Sequence, residues 1–293
     1  MTKQPPLQIA CVQLAPVVGE ERENAARSVA AIESAVAGGA RLVVLPELVT
    51  TGYPFESSRE ARSLAVTPDA PVFAEWARAA GDAVVVGGFA ERGGSGKIYN
   101  SAVLIDRGGI RAVYRKTHLW DTEHRFFTPG TAPPPVLDTA AGRIGVLICY
   151  DMEFPEMTRG LAMLGAEVLA VPVNWPLVPR PAGERAPEVV IAMAAARVNR
   201  LAIACCDRSG DDRGQVWTEG TTIVGADGWV AAETPYAKGD RGLPIWGSEP
   251  DGLEVVRARI DPTRCRDKTV SPRNDLLGDR RPELYAQLHH PTT

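Results

Sequence analysis

Short apolar runs alternating with longer stretches of helical spacing constrain this chain more than any other feature. Residues 7–14, 42–45, 83–87, 143–148, 168–171 and 201–205 are rich in Val, Ile and Leu and too short for buried helices, so they are expected as strands covered on both faces. Between them, residues 20–37, 71–80, a stretch starting near Pro155 and residues 187–199 carry helical spacing. Gly38 and Gly39 follow the first of these, supplying the positive-φ residues that a helix end prefers. Residues 101–105 and 110–115 flank the turn DRGG at 106–109 and are expected as a hairpin, and β-rich segments continue to Ile260. Helices separating apolar strands imply an α/β class with covered sheets, and the hairpin pair makes the sheets mixed.

At 293 residues the chain is long enough for one large domain, and the stretches at 133–135 and 209–214 are loops rather than linkers. The expectation is a single domain over 1–293, with a polar, weakly periodic tail at 261–293 that packs across a partner subunit rather than folding on its own. RLVVLPEL (41–48) and EVLAVPVN (167–174) echo each other: each follows a helix and ends a buried strand at a proline. A duplicated half-fold explains this echo, and so does a chance match of two short strands.

A hydrophobic fraction of 45% with 23% charged residues excludes a disordered or fibrous chain. A formal charge of −4 argues against nucleic acid or an anionic membrane as partner. The five cysteines form no CxxC and no Cys/His metal spacing, which argues against a disulfide framework or a zinc site. With no signal-like N-terminus and no apolar run of about 18 residues, the expected location is the cytoplasm.

Three strand ends carry reactive groups. In GVLICYDMEFPE (145–156) four apolar residues deliver Cys149 to the end of a buried strand, and Pro155 suits the first turn of a following helix. Such an elbow exposes a nucleophile and aims the Tyr150 N–H at an oxyanion formed on attack. A small buried hydrophobe is the other reading of Cys149. In VVLPELVTTGYPF (43–55) Glu47 ends an apolar run, where α/β folds place ligand-handling groups and where burial suits a carboxylate to general-base work. A solvated loop carboxylate or helix cap is the alternative. In YRKTHLWDTEHRFFTPG (114–130) Lys116 stands among aromatic residues, and lysine supplies only five of the 32 cationic residues of this chain. His118 and His124 are candidate bases, with a structural role, the commoner one for single histidines, as the alternative.

In order and spacing these motifs resemble the nitrilase superfamily of carbon–nitrogen hydrolases, from QIACVQLAP near the N-terminus to RRPELY at 280–285. The resemblance matches the family's catalytic Glu, Lys and Cys to Glu47, Lys116 and Cys149, and its second Glu to Glu123 in EHRFFTPG. It implies a four-layer α-β-β-α sandwich with two mixed β-sheets, a homodimer or higher homo-oligomer, and no cofactor or metal. The implied reaction is hydrolysis of a small carboxamide through a thioester on Cys149.

Tyr150-Asp151 after the cysteine argues for amides over nitriles, where the family tends to carry Trp-Glu. Many members have Arg where this chain has Glu153, so a substrate carboxylate has no partner there. Glu153 reads as an ammonium partner or a structural salt bridge. Tyr53, Trp120, Asn174 and Trp175 are candidate substrate contacts, with a core role as the alternative for the aromatic ones. An N-carbamoyl amine hydrolase remains the second reading, a nitrilase or a non-catalytic binding protein the third. Cys205 and Cys206 are expected to be packing residues.

Overall fold

The computed structural model describes residues 5–181, 183–234 and 254–285. In chain order the first half forms β1 (Leu7–Gln13), α1 (Glu21–Ala37), β2 (Leu42–Val44), α2 (Ser58–Leu64), α3 (Pro71–Ala80), β3 (Val84–Arg92), β4 (Ile98–Asp106) and β5 (Gly109–Arg115). The second half forms β6 (Val136–Thr139), β7 (Gly142–Val146), α4 (Pro155–Met163), β8 (Val168–Pro172), α5 (Pro187–Asn199), β9 (Ala202–Cys206), β10 (Thr222–Val224), β11 (Val230–Glu233) and β12 (Glu254–Ile260).

Alternation along the first strand divides the core. Ile9 and Cys11 of β1 join one apolar cluster with Leu42, Val44 and residues of β7, β8 and β9. Ala10 and Val12 point the other way, with Val43 and Leu45, onto Ile32 of α1 and Phe73 and Trp76 of α3. The parallel strands are therefore apolar on both faces, as strands covered twice must be. On the far side, Leu161 of α4 and Val189 and Ala192 of α5 close the first cluster. The expected α-β-β-α sandwich is what these contacts build.

The two six-stranded sheets run β12-β1-β2-β3-β4-β5 and β11-β10-β9-β8-β7-β6. Their pairing is the same: three parallel strands (β1-β2-β3 and β7-β8-β9), then an antiparallel pair (β4-β5 and β10-β11), with one antiparallel strand at the other edge (β12 and β6). This shared topology favours the duplicated half-fold over chance as the source of the echo between 41–48 and 167–174.

Helix starts follow local chemistry. Proline occupies the first turn of α3, α4 and α5, where its missing N–H costs nothing and its φ suits the helix. Ser57 caps α2 by accepting from the Glu60 N–H at 3.1 Å.

One expectation needs correction. The strand expected at 83–87 runs on to Arg92, paired with β4 from Val85↔Ile105 to Arg92↔Ile98. Its glycines do not end it; they admit neighbours. A Cβ on Gly87 would lie 2.8 Å from the Trp76 ring, and one on Gly88 would lie 2.6 Å from the Glu47 Cα. In its described part the tail forms a short helix α6 (Pro262–Arg266), a hairpin of β13 (Thr269–Ser271) and β14 (Asn274–Asp275), and a turn of helix α7 (Pro282–Tyr285). Lys268 Nζ donates to the Asn199 and Arg200 carbonyls at 3.1 and 2.8 Å, capping the end of α5, and Arg266 pairs with Glu167. Residues 286–293 of the expected tail lie outside the described residues.

Candidate active site

The ends of the echoed strands meet. Beyond β2 the chain turns at Pro46, and beyond β8 at Pro172. The Glu47 N–H then reaches the Val173 carbonyl at 3.4 Å, and Asn174 Nδ2 donates to the Glu47 carbonyl at 2.9 Å. From β3, the Gly88 N–H donates to the Pro46 carbonyl at 3.0 Å. Glu47 is thus held by its backbone from two sides and is fully buried.

Lys116 leaves the end of β5 and is equally enclosed. Its Nζ donates to Glu47 Oε1 and to Glu123 Oε1, both at 2.8 Å. Glu123 lies in a single 3₁₀ turn (Asp121–Arg125), where its Oε2 accepts the Trp120 N–H at 2.9 Å. Asn100 of β4 donates from Nδ2 to both carboxylates, at 2.7 Å to Glu47 and 3.2 Å to Glu123. Tyr53 Oη donates to Glu123 Oε1 at 2.8 Å. Two carboxylates therefore surround one ammonium, and among the described residues Glu47 Oε2 is buried without a hydrogen-bond partner.

Cys149 opens the 3₁₀ turn Cys149–Glu153 between β7 and α4. Its φ of 46° lies in the left-handed region, an unfavourable place for a non-glycine residue and a common one for an elbow nucleophile. Burial pushes its thiol well above the ordinary cysteine value, Glu47 adds to this, and Lys116 and the Asn174 N–H act in the opposite direction. The sulfur therefore feels all three members of the buried cluster.

Burial also raises the Glu47 carboxyl to about 7, with Glu123 adding to the rise and Lys116 opposing it. Burial works against the charge of Lys116, but Glu123 and Glu47 outweigh it and hold the ammonium well above its ordinary range. A cluster with two acids and one base keeps Lys116 charged while leaving Glu47 able to bind a proton near neutrality.

The other expected contacts divide. Tyr53 joins the cluster through Glu123, and its ring stands edge-on to Trp217 with centroids 5.3 Å apart. Trp120 is 40% exposed and edge-on to Tyr150 at 4.9 Å, and Tyr150 meets Phe154 at 5.1 Å. Asn174 bridges to Glu47. Trp175 is buried over Gly220, with its backbone N–H held by Asp207 Oδ1 at 3.0 Å. Glu153 is exposed and lines a groove of about 910 Å³ with Pro155, Arg159 and Arg280, away from the buried carboxylates. Among the described residues it forms no ion pair. Cys205 and Cys206 are fully buried in β9.

Sequence reasoning missed Asn100, Trp217 and the structural weight of Asp151. Asn100 left one signal, a polar residue inside the apolar strand IYNSAVLI. Trp217 left none, because its neighbours Tyr53 and Arg208 come from other parts of the chain.

A family model of carbon–nitrogen hydrolases matches residues 8–263 of this chain. A nitrilase of Pyrococcus abyssi is 34% identical over 285 residues, covering 95% of this chain and 99% of that protein. An (R)-stereoselective amidase of a Pseudomonas species is 34% identical over 281 residues, covering 95% and 98%. The crystal structure of an amidase from a Nesterenkonia species shares the fold, with a TM-score of 0.74 over 97% of both chains at 24% identity.

Proposed function

The chain belongs to the carbon–nitrogen hydrolase family, and from that premise we propose that it hydrolyses a small carboxamide to a carboxylic acid and ammonia through a thioester on Cys149. The observation that carries this reading is the buried Lys116 ammonium 2.8 Å from both Glu47 and Glu123.

In this reading Glu47 takes the proton of the Cys149 thiol and the sulfur attacks the amide carbonyl carbon. The C=O electron pair moves onto oxygen, where the Lys116 ammonium and the Tyr150 N–H stabilise it. Tyr150 is the second residue of its 3₁₀ turn, where backbone N–H groups have no partner within the helix. As the oxyanion collapses the C–N bond breaks, and protonated Glu47 gives its proton to the leaving nitrogen, releasing ammonia. Glu47 then takes a proton from water, whose oxygen attacks the thioester. The C–S bond breaks, the sulfur recovers its proton from Glu47, and the acid departs. Glu123, with Tyr53 and Asn100, holds Lys116 in place.

The general base must be ionised when substrate arrives. With the Glu47 carboxyl near 7, kcat/KM is expected to fall as pH drops through about 7, because protonated Glu47 cannot accept the thiol proton. A pH profile flat down to 5 would remove Glu47 from the base role.

The amide preference rests on Tyr150-Asp151 after the nucleophile and on the amidase relative; the nitrilase relative keeps nitriles as the alternative. The test is ammonia release from matched amide, nitrile and N-carbamoyl pairs, with carbon dioxide measured alongside and the enzyme followed by intact mass. The expected result is ammonia from amides without carbon dioxide, with an acyl adduct mapping to Cys149. Carbon dioxide in equal amount to ammonia replaces the reading by an N-carbamoyl amine hydrolase. Glu153 lines the groove with Arg159 and Arg280 rather than the pocket of Glu47 and Glu123, so nothing among the described residues of the site favours an amine-bearing substrate over a neutral one.

A further inference from the structure

The Cys149 elbow and the Lys116 segment come from different sheets, yet the reaction needs their reactive atoms at one fixed separation. One side chain joins the two. Asp151 lies two residues beyond Cys149 and is fully buried. Its Oδ2 accepts from Tyr114 Oη at 2.9 Å and from the Ile148 N–H at 3.3 Å. Its Oδ1 accepts from Thr117 Oγ1 at 2.9 Å, from the His118 N–H at 3.0 Å and from His118 Nδ1 at 2.8 Å. Ile148 directly precedes the nucleophile; Tyr114, Thr117 and His118 bracket Lys116 in sequence. The His118 ring is in turn stacked on Phe154, at the other end of the elbow, with centroids 3.7 Å apart.

We propose that Asp151 is a positioning residue that clamps the Cys149 elbow to the Lys116 segment and so sets the distance from sulfur to ammonium. The proposal rests on the amide-hydrolysis reading of the site. A carboxylate suits the task because it only accepts, on both oxygens, and every group around it donates. Asparagine has the same shape but turns an NH₂ toward one of these two sets of donors. The clamp then opens on that side, freeing either the Thr117–His118 segment after Lys116 or the contacts to Tyr114 and the Ile148 N–H. None of Asp151's hydrogen bonds goes to the side chain of Glu47, Lys116, Glu123 or Cys149, so its effect is on geometry, and a misplacement of about 1 Å at a reacting centre costs about 10²-fold in rate.

The test compares wild type with Asp151→Asn in two ways. Single-turnover acyl-enzyme formation, followed by intact mass, is expected to slow by about 10²-fold with KM nearly unchanged. Alkylation of Cys149 by iodoacetamide, followed by peptide mapping across pH, is expected to slow and to move its midpoint upward, because Lys116 now stabilises the thiolate less. Tyr114→Phe and Thr117→Val each remove one donor and are expected to give smaller shifts in the same direction, so the clamp can still be judged if Asp151→Asn does not fold. A folded Asp151→Asn with wild-type acylation and an unmoved alkylation profile overturns the proposal, as does the absence of any shift in both milder variants. A wild type that forms no thioester with any amide sinks the amide reading instead, and the alkylation profiles then decide the clamp by themselves.

Discussion

Cys149→Ala is expected to abolish amide turnover while leaving the protein folded. Losing the nucleophile of a covalent mechanism typically costs about 10⁶-fold in kcat, since the remaining groups have nothing to activate. The structural loss is small by comparison. Cys149 is 8% exposed, and the substitution deletes one sulfur atom, a change worth about 1 kcal/mol on the scale of a deleted buried methyl group. The backbone already holds a side chain at a φ of 46°, so alanine introduces no strain that cysteine lacks. Thermal unfolding should stay within a few degrees of wild type, ammonia release should fall by about 10⁶-fold, below detection, and no acyl adduct should form. Measurable turnover by the folded variant would end the thioester mechanism.

Lys116→Ala is expected to lose activity and stability together, with the stability loss dependent on pH. Removing one donor to a developing oxyanion typically lowers kcat by about 10²–10³, or about 3–4 kcal/mol. The same change strands Glu47 and Glu123, both buried, with Asn100 and Tyr53 as hydrogen-bond donors and no cation between them. Breaking a buried ion pair in this way costs about 3–5 kcal/mol. The sign with pH follows from linkage. Glu47 already has a carboxyl raised from 4.5 to about 7 in the folded protein with Lys116 opposing the rise, so without the lysine it moves higher still. A carboxyl raised on folding binds protons more tightly in the native state, so its contribution is most favourable below about 4.5 and is lost as pH climbs through the folded value. The variant should therefore come closest to wild type near pH 5 and fall furthest behind above pH 7. Unfolding transitions at pH 5 and pH 8 measure the difference; an equal deficit at both, or wild-type activity in a folded variant, contradicts the buried cluster as described.

Glu47, Lys116 and Cys149 were legible because each stands at a local boundary. For Glu47 and Cys149 an apolar run of strand length stops at a reactive residue, written in consecutive positions of 43–47 and 145–149, and Lys116 was marked by its aromatic neighbours and by the scarcity of lysine. Helix ends were legible for the same reason: Gly39, at a φ of 88°, and Pro71, Pro155 and Pro187 impose their conformations on their immediate neighbours, whereas Gly38, at a φ of −75°, does not take the positive φ expected of it. Asn100 was not legible, because its role is to meet Glu47 and Glu123, and only the β3-β4-β5 pairing brings β4 beneath them. The strand expected at 83–87 was placed too short for a related reason. Read locally Gly87 and Gly88 interrupt a strand, but in the fold they make room for Trp76 and for the Glu47 backbone.

The sequence alone determined the α/β class, the alternation that buries each parallel strand on two faces, and the identity of the groups offered at the strand ends. Those properties depend on side-chain period and on neighbours along the chain. The tertiary structure decided which of those groups share a charge: Lys116 between two carboxylates, Glu47 raised to about 7, and Asp151 between the Cys149 elbow and the Lys116 segment. Burial and electrostatic coupling depend on distances through space between residues remote in the chain, and these exist only once the two sheets have closed on each other.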